Sequence, residues 1–116
     1  MIRKEKDQTV DIQRNMRGGT GEVSFRSLLC GEEEMNDKGR LFKLVTIPTG
    51  ASIGYHVHEG ESETFYVIEG NGVFDDNGTP TPFAAGDVLH TPVGCGHSVT
   101  NTGTDPVRMV ALILFA

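Results

Sequence analysis

The stretch GASIGYHVHEGESETFYVIEG, Gly50 to Gly70, decides how the rest of the chain is read. Two runs of strand-forming composition, Ser52 to His58 and Glu63 to Glu69, flank a polar turn, Glu59-Gly60-Glu61-Ser62. On an extended chain successive side chains point to opposite faces, so His56 and His58 project together while Tyr55 and Val57 project the other way. Two imidazoles on one face make a chelate, and the turn allows Glu63, at the head of the next run, to approach the same point.

Outward from this stretch, short strand-like runs alternate with turn residues. Val23, Phe25, Ser27 and Leu29 alternate on one strand, and Leu41 to Ile47 is a second run closed by Pro48-Thr49-Gly50. Asn77-Gly78 separates Val73-Phe74-Asp75 from Thr79 to Ala84, a strong hairpin signal, and Pro80 and Pro82 mark the return strand as irregular or at an edge. Val88 to Thr91 and His97 to Asn101 follow. The last strand, Val107 to Phe115, is nearly all apolar, which suits a strand covered on both faces. Eight or more short strands without a convincing helix predict an all-β chain, a sandwich or small antiparallel β-barrel.

The 116 residues suffice for one core and not for two, and the 15 glycines favour tight turns. Residues 1–21 are polar, without a helical period, and read as an N-terminal arm or edge segment ahead of a single domain over residues 22–116. Arg17-Gly18-Gly19-Thr20-Gly21 lacks phosphate-loop spacing and reads as a turn. Met1 to Gln8 is too charged for a secretory signal, and no apolar run approaches the roughly 20 residues of a membrane span. The expected protein is soluble and cytoplasmic, without a membrane partner, and Cys30 and Cys95 are expected as free thiols.

Charge excludes a further class. The net charge of −6 argues against a nucleic-acid partner, which would need a clustered basic surface. Nine of the ten Lys and Arg lie in residues 1–43, and none lies in residues 44–107. The segment that carries the histidines therefore has no cation of its own.

A second stretch, GDVLHTPVGCGHSVTN from Gly86 to Asn101, supplies His97 after a glycine-containing loop able to aim one side chain inward. His56, His58, Glu63 and His97 together offer three neutral imidazoles and one carboxylate. That set suits one divalent transition ion, Mn, Fe, Co, Ni, Cu or Zn, whereas a structural zinc site is more often thiolate-rich. Four protein ligands on a six-coordinate ion leave two positions for water or substrate.

The spacing carries more than the residue types. Gly50, His56, His58, Glu63 and Gly70 in the first stretch, and Gly86, Pro92, Gly94, His97 and Asn101 in the second, resemble the two motifs of the cupin superfamily at all ten signature positions. The 15 residues between the stretches make a gap of the short microbial type. The resemblance implies a double-stranded β-helix, a jelly-roll cupin, with His56, His58, Glu63 and His97 in the family's metal-ligand positions. It further implies a metal-dependent isomerase, decarboxylase, lyase or dioxygenase acting on a small oxygenated molecule, or alternatively a non-catalytic module that binds a small ligand or metal. Many cupins are dimers, so a homodimer is expected, with residues 1–21 available to cover a sheet edge by pairing with a neighbouring subunit.

The remaining polar residues read as structural. Cys95 reads as a small half-buried thiol, His90 as a strand residue, Tyr55 and Tyr66 as out of phase with the ligands, and Glu59 and Glu61 as solvated turn residues. The charge of an anionic substrate must be met by the metal itself or by a residue outside the motif block, one of Arg14, Arg17, Arg26, Arg40, Lys43 or Arg108. Arg26 and Arg40, in or beside predicted strands, are the preferred substrate-binding candidates.

Overall fold

A computed structural model describes residues 1–116. Ten strands form two sheets: β1 Val10–Arg14, β2 Glu22–Leu29, β3 Gly39–Ile47, β4 Ser52–Val57, β5 Glu61–Glu69, β6 Asn71–Asp76, β7 Thr79–Ala84, β8 Val88–Thr91, β9 Gly96–Thr100 and β10 Val107–Phe115. The one α-helix, α1, is a single turn, Gly31–Glu34, and no helix is long and apolar enough to cross a membrane. One sheet has the order β1-β2-β3-β10-β5-β8 and the other β4-β9-β6-β7, and every pairing is antiparallel. The β6–β7 hairpin turns at Asn77-Gly78, both at positive φ, as a tight two-residue turn requires. Its return strand β7, with Pro80 and Pro82, lies at a sheet edge, where two missing N–H donors break no further ladder.

The inward faces of the two sheets make one core. Val23, Phe25, Val45, Ile47, Phe65, Val67, Met109 and Ala111 from the larger sheet meet Ile53, Phe74, Phe83 and Val99 from the smaller, all buried. Each large side chain removed from water here contributes about 1.5–3 kcal/mol. Asn101, just after β9, ties the layers together: its buried amide donates to the carbonyls of Ile47 and Asp105 and accepts from the Gly103 N–H.

Two features differ from the sequence-based expectation. β10 is covered on one face only: Val107, Met109, Ala111 and Ile113 are buried, while Val110 and Leu112 are half-buried and Leu114 is exposed. Its apolar outer residues lie beside those of β5 and β8 on the outside of the larger sheet. The N-terminal segment pairs within its own chain, since β1 lies along β2 from Val10↔Arg26 to Arg14↔Glu22.

Candidate metal centre

A change of phase in β4 sets up the cluster. Ile53 opposes Val99 and His56 opposes His97, so two residues, Gly54 and Tyr55, face the single Ser98. This bulge resets the alternation of the strand. Without it Ile53 inward would put His56 and His58 outward. With it, Ile53, His56 and His58 all face the interior and Tyr55 and Val57 face outward, about half exposed. Glu63 follows on β5 and His97 on β9, and the four side chains meet between the sheets.

The donor atoms converge closely. His58 Nε2 lies 3.1 Å from His97 Nε2 and 3.0 Å from Glu63 Oε1, and His97 Nε2 lies 3.2 Å from His56 Nε2 and 3.1 Å from Glu63 Oε1. His58, Glu63 and His97 are buried. Phe65 stacks on His97 at 5.5 Å and Phe74 meets its edge at 5.6 Å, so that ring has little freedom to turn.

The rear nitrogens are held as well. His56 Nδ1 donates to the Gly54 carbonyl at 2.8 Å, and His58 Nδ1 donates to the Glu61 carboxylate at 3.0 Å. His97 Nδ1 shares a hydrogen bond of 2.7 Å with Thr91 Oγ1. A carbonyl and a carboxylate only accept, so the Nδ1 atoms of His56 and His58 carry protons. In the neutral rings their Nε2 atoms then present lone pairs to the centre, beside a further carboxylate oxygen. Such a convergence of acceptors could hold a cation in its midst.

The donor set fits one metal ion. Donors about 2.1 Å from a common ion stand about 3.0 Å apart at right angles and about 3.4 Å apart in a tetrahedron. The observed 3.0–3.2 Å between neighbours fits the six-coordinate spacing. All four donor atoms lie within 4.8 Å of one another, so the group could hold a metal.

Protonation shows the same competition. Hydrogen bonding to Glu63, opposed by burial and aided by Glu61, holds the His58 imidazole above its usual range. Burial instead holds His56 below it. A metal ion on His58 would therefore compete with a proton held more firmly than on an ordinary imidazole.

Glu61 is a residue that sequence reasoning missed. Its side chain, 13% exposed, bridges His58 and Arg40, whose Nε and Nη2 donate to its two oxygens at 2.7 and 2.6 Å. Arg40 first, with His58 adding to it, pulls the Glu61 carboxyl down to about 2. The guanidinium thus fixes a charged carboxylate that fixes a ligand tautomer, the outer support common behind metal-bound imidazoles. Thr91, also missed, holds the rear nitrogen of His97, though a hydroxyl, which can donate or accept, does not set that ring's tautomer.

Above the cluster lies a cavity of about 80 Å³. Phe25, Leu41, Ile53, Phe65 and Ile113 form apolar walls, and Met16, Arg17 and Arg40 complete the lining. Arg40 therefore lies beside the cluster. Arg26 is elsewhere: it follows inward-facing Phe25 on β2, so it points out of the sheet and lines a separate groove with Glu5, Val10 and Arg108. From there it cannot touch a ligand on the cluster. Cys95 is half-buried and does not line the cavity, Tyr55 and Tyr66 are exposed, and His90 faces outward beside Thr64 Oγ1.

A two-sheet antiparallel barrel whose inner face carries a three-histidine, one-glutamate cluster defines a class, the jelly-roll proteins with an interior candidate metal site. The chain belongs to the cupin family: the cupin domain model matches residues 43–113. It is 44% identical over 114 residues to the oxalate-binding protein of Thermotoga maritima, covering 98% of this chain and 93% of that one. It is also similar to the crystal structure of a predicted oxalate decarboxylase from Thermotoga maritima, with 43% identity, a TM-score of 0.94 and full coverage of both chains. The polyketide cyclase RemF of Streptomyces resistomycificus has the same fold at 18% identity and a TM-score of 0.77, over 99% of this chain and 80% of that one. The barrel is thus shared by proteins of unrelated names, and function must be argued from the site.

Proposed function

We propose that this protein holds one divalent transition ion on His56, His58, Glu63 and His97 and binds a small dicarboxylate of the oxalate type above it. The observation that carries this reading is the convergence of three imidazole nitrogens and a carboxylate, 3.0–3.2 Å apart, beneath a small cavity. A cavity of about 80 Å³ suits a ligand of a few non-hydrogen atoms, whereas pockets for drug-sized molecules are of order 300–1,000 Å³. The 44% identical relative named for oxalate binding supports the same choice.

The bound ion would supply a Lewis acid with open positions for ligand oxygens. The chain's own contribution is to orient and to exclude water. Glu61, Gly54 and Thr91 hold the imidazoles, and Phe25, Leu41, Ile53, Phe65 and Ile113 give the cavity apolar walls. Beyond the four clustered residues, no lining side chain takes or gives a proton near neutral pH. Isomerase and lyase reactions ordinarily use a side-chain base. The cavity favours ligand binding, because decarboxylation to formate would also need a proton delivered to the carbon that carbon dioxide leaves, and no lining side chain outside the cluster supplies one.

Calorimetric titration of Mn-loaded protein with oxalate should show one ligand per chain, and protein freed of metal should show none. Formate production measured on the same samples separates a decarboxylase from a binding module. Absence of oxalate binding with Mn, Fe, Co, Ni, Cu and Zn alike would refute the reading.

We further propose a homodimer in which the outside of the larger sheet packs against its counterpart. Tyr66, Ile68, Val88 and Leu114 are 41–62% exposed there, on the neighbouring strands β10, β5 and β8. Grouped exposed apolar side chains suit an interface, and one face meeting its own copy closes a two-fold dimer. The mass in dilute solution should be near twice the 12.6 kDa of the chain. A mass of one chain at micromolar concentration would contradict this.

A further inference from the structure

The turn between β1 and β2 belongs to the polar N-terminal segment, yet it is bonded closely to β4. The Thr20 N–H donates to Ser52 Oγ at 3.0 Å, the Ser52 N–H donates to the Thr20 carbonyl at 2.9 Å, and Thr20 Oγ1 donates to the Gly50 carbonyl at 3.1 Å. Gly19 and Gly54 let the two backbones touch: a Cβ on Gly54 would overlap the Arg17 carbonyl, and one on Gly19 would overlap the Ser52 carbonyl. Asn15 and Arg17 take left-handed φ values of 48° and 55°, uncommon outside glycine, and so bend the turn over the barrel mouth. Met16 and Arg17 consequently line the cavity above the cluster.

The two arginines at this cavity differ in one respect. Arg40 is engaged by both oxygens of Glu61, whereas Arg17 makes no ion pair and no side-chain hydrogen bond. Its side chain shares the cavity lining with His56, His58, Glu63 and His97.

We infer that Arg17 is the specificity-determining residue of this site, pairing with the second carboxylate of a dicarboxylate whose first oxygens face the metal position. The inference rests on the metal and dicarboxylate reading given above. A divalent ion with Glu63 carries one net positive charge, and Glu61 neutralises Arg40. A dianion entering the cavity thus brings one negative charge more than the centre balances, and Arg17 is the cation free to meet it. A guanidinium matches a carboxylate with two parallel N–H donors, which an ammonium does not. A monocarboxylate brings no second charge, so Arg17 should matter little to it. By lying on the N-terminal turn, the residue makes the polar segment part of the binding site.

The test compares the full-length parent with Arg17→Met and Arg17→Lys, each loaded with Mn and titrated with oxalate and with formate, with metal content measured in parallel. Arg17→Met keeps the apolar stem and removes the donors. It should retain the metal, bind oxalate roughly ten- to thirtyfold more weakly, as loss of a hydrogen bond to a charged group implies, and bind formate within about twofold of the parent. Arg17→Lys should recover part of the loss. A parent that binds oxalate together with an Arg17→Met variant of equal affinity overturns the inference and leaves the dicarboxylate reading standing. Equal weakening for oxalate and formate also overturns it, because Arg17 would then act on any anion. Failure of the parent itself to bind oxalate overturns the underlying reading and the inference with it.

Discussion

Replacing His56 and His58 together by alanine should abolish stoichiometric metal binding while leaving the barrel folded. Both imidazoles come from one strand, so the double variant removes two of four donors without touching β5 or β9. Loss of even an outer hydrogen-bond partner weakens metal sites roughly 10- to 100-fold, so loss of two donors should weaken binding about a thousandfold or more. Stability reports the same event. An ion at 100 times its Kd stabilises the native state by about 2.7 kcal/mol, and added Mn should raise the melting temperature of the parent by about ten degrees and leave the variant unmoved. Glu63→Gln, which keeps the shape of the side chain, guards against a folding defect and should also lose most of the affinity. The parent should bind metal more weakly as pH falls, because His58 holds its proton above the ordinary imidazole range and must surrender it to the ion. Glu61 stays charged down to about pH 2 and takes no part in that loss. Equal metal content in parent and double variant would remove the site.

Glu61→Gln should be the most damaging change to a residue outside the ligand set. The carboxylate accepts from His58 Nδ1 and from both donor positions of Arg40, and an amide offers only one acceptor oxygen for the two. Either the His58 tautomer loses its anchor or Arg40 is released into the cavity. Metal affinity should fall roughly 10- to 100-fold, and the metal-free protein should also lose some stability, because the Arg40–Glu61 pair is bidentate and only partly exposed. A compensating Arg40→Met in the same chain should not restore affinity, because the anchor for His58 is still absent. Wild-type affinity in Glu61→Gln would show that the His58 ring is held by its packing alone.

The strand pattern and the four clustered residues were legible because both depend on local spacing. Period-two alternation and turn residues mark the strands, and His56, His58, Glu63 and His97 each sit at the head or along the face of such a run. The bulge at Gly54-Tyr55 was less so. Read as one regular strand, Ser52 to His58 cannot face Ile53, His56 and His58 the same way, and only the glycine inside the run hints at the break. Glu61 reads as a turn residue because its partners, His58 three residues earlier and Arg40 on β3, meet it only in the folded chain. Thr91 is invisible for the same reason. Arg17 lies in a polar segment whose docking onto β4 depends on two glycines 35 positions apart, and no periodicity connects them. β10 reads as doubly covered because apolar residues fill both of its faces. Within one chain the second face stays open, and the same residues become the argument for a second copy.

The central claim is that these four side chains hold one metal ion. It is tested most directly by crystals of untagged protein grown with Mn and measured on both sides of the Mn absorption edge. The account predicts one anomalous peak per chain, within about 2.0–2.3 Å of the Nε2 atoms of His56, His58 and His97 and of a Glu63 oxygen. A map with no peak at the cluster, or with the ion bound elsewhere, would contradict it.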